Sequence, residues 1–275
     1  MKILIAIATP SHLAAITFFV SRLLPETEKQ VTLLRAVRGE ERRAAALALL
    51  AQAGADLKQA GIAAEMKVAV GNAGKVVINE AKTGQYDLLI VGHTSAAGQP
   101  TRRFTGSVVR RLVAHAPCPV LVVGRETEAS VEQILLCDAG TKSPSLIERL
   151  AAQLPGLLDG TETITILHVM SQISAAPGIP GKQLRADAEE LIEIHAPEGR
   201  LLERDINLLR RFHVQAKPKV RHGQVVQEIM AEADGGGYGL VVIGAHAGSG
   251  WQRYLLEDLA QQILTHLECT VLVIR

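Results

Sequence analysis

Two stretches of the chain decide the fold, because they repeat one pattern. Residues 86–123 read YDLLIVGHTSAAGQPTRRFTGSVVRRLVAHAPCPVLVV, and residues 238–274 read YGLVVIGAHAGSGWQRYLLEDLAQQILTHLECTVLVI. The repeat aligns Tyr86 with Tyr238. Each stretch contains an apolar run, a polar loop, a helical pattern and a second apolar run, which indicates a duplicated strand–helix–strand unit.

The other apolar runs extend this repeat over the whole chain. They predict strands at 3–8, 31–37, 64–70, 88–92 and 119–123 in the first half, and at 134–138, 164–170, 217–223, 240–244 and 270–274 in the second. Helical patterns lie between the strands of the first half, at 12–24, 39–60, 74–83 and 107–115. Because parallel strands need crossover helices, the alternation predicts an α/β fold with two doubly wound parallel sheets of five strands each.

The spacing of the repeat defines two domains. The offset between equivalent residues is 131 at Ile3 and Ile134 but 152 at Gly92 and Gly244, so the second half carries about 21 extra residues. We assign domain 1 to residues 1–125 and domain 2 to residues 131–275, with an insertion at about 174–200 and the short polar linker 124–130 between the domains. The simplest interpretation of the insertion is a decorated second helix; the alternative is a lid or partner surface.

Composition excludes several classes of protein. A net charge of +1 over 275 residues gives no overall field for nucleic acid or an anionic membrane. Three cysteines are too few for a disulfide framework, which favours a reducing cytoplasm. No run approaches the ~20 apolar residues of a membrane span, and the polar break at 9–12 favours a strand and a turn over an export signal.

The loop after the fourth strand is the candidate ligand site, since doubly wound sheets bind ligands beyond the carboxyl ends of their strands. In the first half the strand ends at Gly92 and the next helix begins near Gly106-Ser107. Glycine admits a ligand close to the backbone, and a helix start with a serine forms a ready anion site. The alternative is ordinary helix capping, which uses the same residue types.

This loop resembles that of the universal stress protein family, and the likeness covers residues 2–275. ATP-binding members carry a Gly, two residues, a second Gly, nine residues, and then Gly-Ser or Gly-Thr. Here Ser95 replaces the second Gly, and ten residues separate it from Gly106-Ser107. The resemblance implies tandem Rossmann-like or flavodoxin-like domains and ATP binding in domain 1. The implied contacts are Gly92, Thr94, Ser95, Gly106, Ser107 and Val108, with the backbone of Ala36 near the base.

The second half has lost the pattern. Counting from Gly244 places Glu257-Asp258 at the phosphate-contacting positions, and two carboxylates there would repel a phosphate chain. The family also places an Asp at the end of strand one, where this chain has Ala8 and Ala139. Asp138 is one residue early, so its side chain is expected on the opposite face of the sheet.

The resemblance implies a non-enzymatic stress-response protein, a regulatory or sensing module whose second site is degenerate. The alternatives are an interaction scaffold that binds no nucleotide and a weak ATP-hydrolysing enzyme. The resemblance implies that the two domains meet through strands 119–123 and 270–274 as an intramolecular pseudo-dimer, and further homodimerisation stays open. His115 and Cys118, repeated as His266 and Cys269, have helix-end and core explanations, so no metal is predicted.

Overall fold

Strands and helices alternate along both halves of the chain. A computed structural model describes residues 1–23, 30–92, 107–124, 131–138, 144–170, 186–244, 260, 262–265 and 269–275. The strands are β1 (Lys2–Ala6), β2 (Gln30–Val37), β3 (Ala64–Val70), β4 (Leu88–Gly92), β5 (Val120–Val123), β6 (Gln133–Cys137), β7 (Thr163–Met170), β8 (Gln215–His222), β9 (Leu240–Gly244) and β10 (Thr270–Ile274). The α-helices are α1 (Leu13–Leu23), α2 (Arg43–Gln59), α3 (Ala73–Gly84), α4 (Ser107–His115), α5 (Leu146–Gln153), α6 (Ala188–Glu193), α7 (Pro197–Arg210) and α8 (Val225–Gly235). Within these ranges no helix has both the length and the apolar character that a bilayer crossing requires.

One compact unit comprises residues 1–129, 245–273 and 275. Its strand order is β3-β2-β1-β4-β5-β10, and β1 to β5 pair in parallel. The order reverses between β1 and β4, as in a doubly wound sheet, and this confirms the predicted fold class. The carboxyl ends of β1 and β4 therefore mark the topological switch point at which a ligand is expected.

The two fifth strands pair as expected. Strand β10 lies antiparallel to β5, with Leu272 opposite Leu121. The backbone N–H of Gly124 donates to the Thr270 hydroxyl oxygen at 3.2 Å, in a buried position. Pairing with β10 covers an edge of β5 that would otherwise expose unpaired backbone groups.

The second unit comprises residues 130–244 and 274. Its strands follow the order β9-β6-β7-β8, all parallel, which repeats the order of β4, β1, β2 and β3. Strand β10 is the fifth strand of the second sequence repeat, but all of its residues except Ile274 belong to the first unit. The compact units thus cut across the sequence repeat, so the second unit contains four parallel strands rather than five.

The described part of the insertion adds one helix, α6, before α7. Asp187 caps α6: its carboxylate accepts from the Glu190 N–H at 2.9 Å, and Glu190 accepts in return from the Asp187 N–H at 3.2 Å. Residues 174–185 of the predicted insertion lie outside the described ranges. What is described matches a decorated second helix.

A partly buried polar contact, which we call the Lys–Glu–Tyr brace, links β3, α3 and the start of β4. In the first unit the Lys67 ammonium donates to Glu80 Oε2 at 2.7 Å, and the Tyr86 hydroxyl donates to Glu80 Oε1 at 3.0 Å. Gly84 is required beside it, since a Cβ there would lie 2.2 Å from the Tyr86 ring. Burial, followed by the bond to Glu80, raises the pKa of Tyr86.

The second unit repeats the brace and extends it. Lys219 and Tyr238 each contact the Glu232 carboxylate at 2.7 Å, and the Arg221 guanidinium adds a contact at 3.0 Å. Burial pushes the pKa of Glu232 upward, but the bonds from Lys219, Tyr238 and Arg221 outweigh it and lower that pKa overall. Burial raises the pKa of Tyr238 to about 12. This polar contact therefore survived in both halves while the ligand loops diverged.

Candidate functional site

A cavity of about 180 Å³ lies at the switch point of the first unit. Three of the predicted contact residues line it: Ala36 at the end of β2, Gly92 at the end of β4, and Val108 in the first turn of α4. Ser107, the first residue of α4, lines an adjoining cleft instead. Thr94, Ser95 and Gly106 lie outside the described residues, so their positions stay predictions.

The walls of this cavity are mostly apolar. Side chains of β2, β4, α3 and α4 supply them, among them Leu34, Val77, Val91, Val109 and Leu112. A flat, weakly polar ring fits such walls, because ligand pockets combine apolar lining with a few polar groups that fix orientation.

Arg35 is the one charged residue among the described lining residues, and sequence reasoning missed it. Its guanidinium donates to the backbone oxygens of Ala8 at 2.5 Å and Ile7 at 3.3 Å, just beyond β1. The resemblance leads one to expect an acid at this point, but the chain supplies a cation from β2. The signal was a lone arginine near the end of an otherwise apolar strand.

Gly92 has a packing role that sequence reasoning did not foresee. A Cβ at this position would lie 2.3 Å from Cδ2 of His12, whose side chain is largely buried at the start of α1. The glycine is therefore needed for His12 to approach β4, whether or not a ligand also approaches it. Hence Gly92 alone is weak support for a ligand site.

In the second unit, the acid near the end of strand one faces away from the equivalent position. Asp138 follows β6, and its carboxylate lies 3.8 Å from the guanidinium of Arg204 on α7. Helix α7 follows β7 as α2 follows β2, whereas the first unit's cavity is lined by α3 and α4. The predicted opposite orientation of Asp138 is confirmed. Glu257 and Asp258 lie outside the described residues.

Asp138 forms a buried carboxyl pair with Asp205 of α7. The pKa of Asp205 is raised to about 7: burial is the largest cause, the negative charge of Asp138 adds to the increase, and Arg204 opposes it. Arg204 lies 2.8 Å from Asp205, which is 2% exposed. Asp205 is therefore largely protonated in the folded chain well above the pH at which an unfolded aspartate ionises.

This pair predicts a stability that falls as pH rises. Between the unfolded pKa of 3.8 and the folded pKa of about 7, the native state holds a proton that the unfolded state releases, so raising the pH favours unfolding. Asp205→Asn should flatten this dependence and stabilise the protein at pH 8 by on the order of 1–2 kcal/mol. Urea unfolding at pH 5 and pH 8 measures the change. Asp56→Asn, at an exposed position of α2, is the control. If the stability of the wild type and of Asp205→Asn depended equally on pH, the raised pKa of Asp205 would be refuted.

The His–Cys pairs give no centre for metal chemistry in the described ranges. No group of three or more potential ligands occurs there. Cys118 is buried, and burial raises the pKa of its thiol to about 11, which keeps it protonated at neutral pH. Its local environment is that of a core residue.

Solved structures of other proteins share the fold of this chain. A universal stress protein from Archaeoglobus fulgidus DSM 4304 aligns over 100% of this chain and 96% of its own, with a TM-score of 0.71 and 13% identity. A functionally unknown protein from Pseudomonas aeruginosa PAO1 aligns over 99% and 92%, with a TM-score of 0.66 and 20% identity. A family member from Arabidopsis thaliana, solved with AMP bound, covers 46% of this chain and 94% of its own, with a TM-score of 0.37 and 20% identity.

The family assignment rests on the sequence itself. A comparison with curated protein sequences gives no match. The profile described as "Universal stress protein family", however, matches twice, at residues 2–124 and 132–275, and so accounts for nearly the whole chain. The chain therefore belongs to the universal stress protein family and carries two copies of the family's domain in tandem.

Proposed function

We propose that the first half of the chain binds an adenine nucleotide and acts as a non-enzymatic regulatory or sensing module. The observation that carries this proposal is the cavity that joins Ala36, Gly92 and Val108 at the switch point. Ala36 there supplies strand backbone beside apolar walls, which suits the edge and faces of a base.

The volume of the cavity suits the base of a nucleotide. Drug-sized ligands fill pockets of roughly 300–1,000 Å³, so about 180 Å³ accommodates a base but not the whole molecule. The sugar and phosphates would extend toward Ser107, where α4 begins. The first N–H groups of a helix have no partner within the helix, and together with the positive end of the helix dipole they favour a phosphate.

The residues that line the cavity favour nucleotide binding without hydrolysis. Among those described, Arg35 is charged and no carboxylate is present to activate water or hold a magnesium ion. This favours a nucleotide held as a signal over one that is hydrolysed. ATP turnover by the purified protein above that of a heat-killed control would contradict it.

Substitution of the helix start tests nucleotide binding directly. Ser107→Asp gives the first half the residue that the second half carries as Asp258, and we expect it to weaken ATP binding at least tenfold. The added carboxylate would occupy the free N–H groups and repel the phosphates. Calorimetric titration measures the effect, and Gln52→Glu on exposed α2 controls for the added charge. Equal ATP affinity in Ser107→Asp would remove this site, and no binding by any variant would favour an interaction scaffold.

A further inference from the structure

A basic cleft lies directly beside the cavity of the first unit. Its volume is about 460 Å³ and it shares Val108 with the cavity. The residues that line it lie at the start of α3 and along the whole of α4. They are Asn72, Gly74, Ser107, Val108, Arg110, Arg111, Ala114 and His115. None of these described residues is acidic.

The polar face of α4 points its arginines into this cleft. Ser107, Arg110 and Arg111 recur at the three- and four-residue spacing that places side chains on one helix face. Within the described part of the chain, neither arginine forms an ion pair or a hydrogen bond, whereas Arg204 and Arg221 bind carboxylates at 2.8 and 2.7 Å. Two guanidinium groups, each with five N–H donors, therefore line the cleft without a partner among the residues that the structure describes.

Gly74 fixes the position of one of these arginines. A Cβ at Gly74 would lie 2.8 Å from Cδ of Arg111, so the aliphatic stem of Arg111 lies directly on the buried glycine. Any larger residue at position 74 would move the Arg111 guanidinium. The cleft is thus shaped by α3 as well as by α4.

The second half of the chain keeps the fold and the histidine, His266, that is equivalent to His115, but it loses the glycine, the serine and both arginines of the cleft. At the equivalent positions it has Gln224 for Asn72, Val226 for Gly74, Asp258 for Ser107, Gln261 for Arg110 and Gln262 for Arg111. The lysine, glutamate and tyrosine of the Lys–Glu–Tyr brace, in contrast, make the same contacts in both halves. The positive cleft is therefore a property of the first half alone and is not needed to build the domain.

We propose that this cleft binds the phosphate chain of the ligand, with Arg110 and Arg111 as its charged contacts. This inference rests on the proposed function, because it places the base in the adjoining cavity and the chain over Val108. Arginine forks bind phosphate oxygens in a bidentate manner. The ligand class is accordingly a nucleoside polyphosphate rather than a nucleoside or a monophosphate.

Three probes separate the cleft from the cavity: sodium tripolyphosphate, ATP and adenosine, each titrated calorimetrically. In Arg110→Gln/Arg111→Gln, which reproduces the residues of the second half, tripolyphosphate and ATP should bind at least tenfold more weakly. Adenosine should bind as it does to the wild type. Arg42→Gln/Arg43→Gln removes the same charge from the exposed start of α2 and should change nothing. Higher salt should weaken the wild type's tripolyphosphate binding more than its adenosine binding.

Gly74→Ala provides a test without loss of charge. The added methyl displaces Arg111, so tripolyphosphate should bind several-fold more weakly while the net charge is unchanged. Undiminished binding of tripolyphosphate and ATP by the double glutamine variant would overturn the inference and leave the proposed nucleotide cavity intact. Tripolyphosphate binding that depends on the arginines, without any binding of ATP or adenosine, would keep the cleft and refute the nucleotide.

Discussion

Glu232→Ala is expected to lower the free energy of unfolding by about 3 kcal/mol, the low end of the range for breaking an ion pair, because only the carboxylate of this pair is buried. Glu232 is 3% exposed and accepts from Lys219, Arg221 and Tyr238. Removing it leaves two cations and a partly buried hydroxyl without their shared acceptor. The loss of stability is expected at the lower limit of this range for two reasons. Arg221 keeps its ion pair with Glu228 at 2.7 Å, and Lys219 is half-exposed, so water can solvate its charge.

The equivalent residue of the first unit provides a matched comparison. Glu80 binds one cation, Lys67, and one hydroxyl, so Glu80→Ala should cost less than Glu232→Ala, on the order of 1–2 kcal/mol. Glu193→Ala on the exposed face of α6 should change stability by no more than about 0.5 kcal/mol. Urea unfolding of the three variants at pH 7 measures these costs. A Glu232→Ala variant as stable as Glu193→Ala would show that the brace contributes nothing.

Gly199→Ala should destabilise the added helix of the second unit by about 2–3 kcal/mol. Gly199 lies in the first turn of α7, where a Cβ would meet the backbone oxygen of Leu191 at 2.0 Å and the backbone nitrogen of Ile192 at 2.7 Å. Because both neighbours are backbone atoms, no side-chain rotation relieves the clash. Helix α6 must then shift, and the buried contacts of Leu191 with Ala186 and Ala196 weaken.

Hydrogen exchange on α6, combined with thermal unfolding, checks this result. The amides of α6 should exchange faster in Gly199→Ala than in the wild type. The amides of β6 and β9 should still exchange only through global unfolding. Gly235→Ala is the matched control, since a Cβ at Gly235 meets nothing within 4 Å. That variant should be neutral or slightly stabilising. Equal exchange of α6 in both variants would contradict the close approach of α6 to α7.

Much of the fold could be predicted from the sequence because buried parallel strands appear as unbroken apolar runs. The run at 3–8 predicts a strand, which the structure places at Lys2–Ala6. The pairing of β5 with β10 was implied by the family resemblance and is confirmed. The contribution of β10 to the first compact unit could not be predicted, because it depends on tertiary contacts rather than on periodicity.

The Lys–Glu–Tyr brace and the candidate site were less predictable, since their residues act through neighbours that are distant in the sequence. The repeat aligned Tyr86 with Tyr238, but the acceptor carboxylates Glu80 and Glu232 lie on preceding helices and appear in the sequence as ordinary polar residues. Arg110 and Arg111 likewise appear in the sequence as a solvated helix face, whereas the structure places Gly74 against Arg111 and both arginines in one cleft. Loss of the pair in the second half was visible in the sequence and could have drawn attention to it.

The two halves are expected to differ in nucleotide binding, and native mass spectrometry of the intact chain with ATP tests this difference most directly. The wild-type chain should take up one ATP, and Ser107→Asp should take up none at the same concentration. Two nucleotides bound to each wild-type chain, or one retained in Ser107→Asp, would contradict the assignment of binding to the first half.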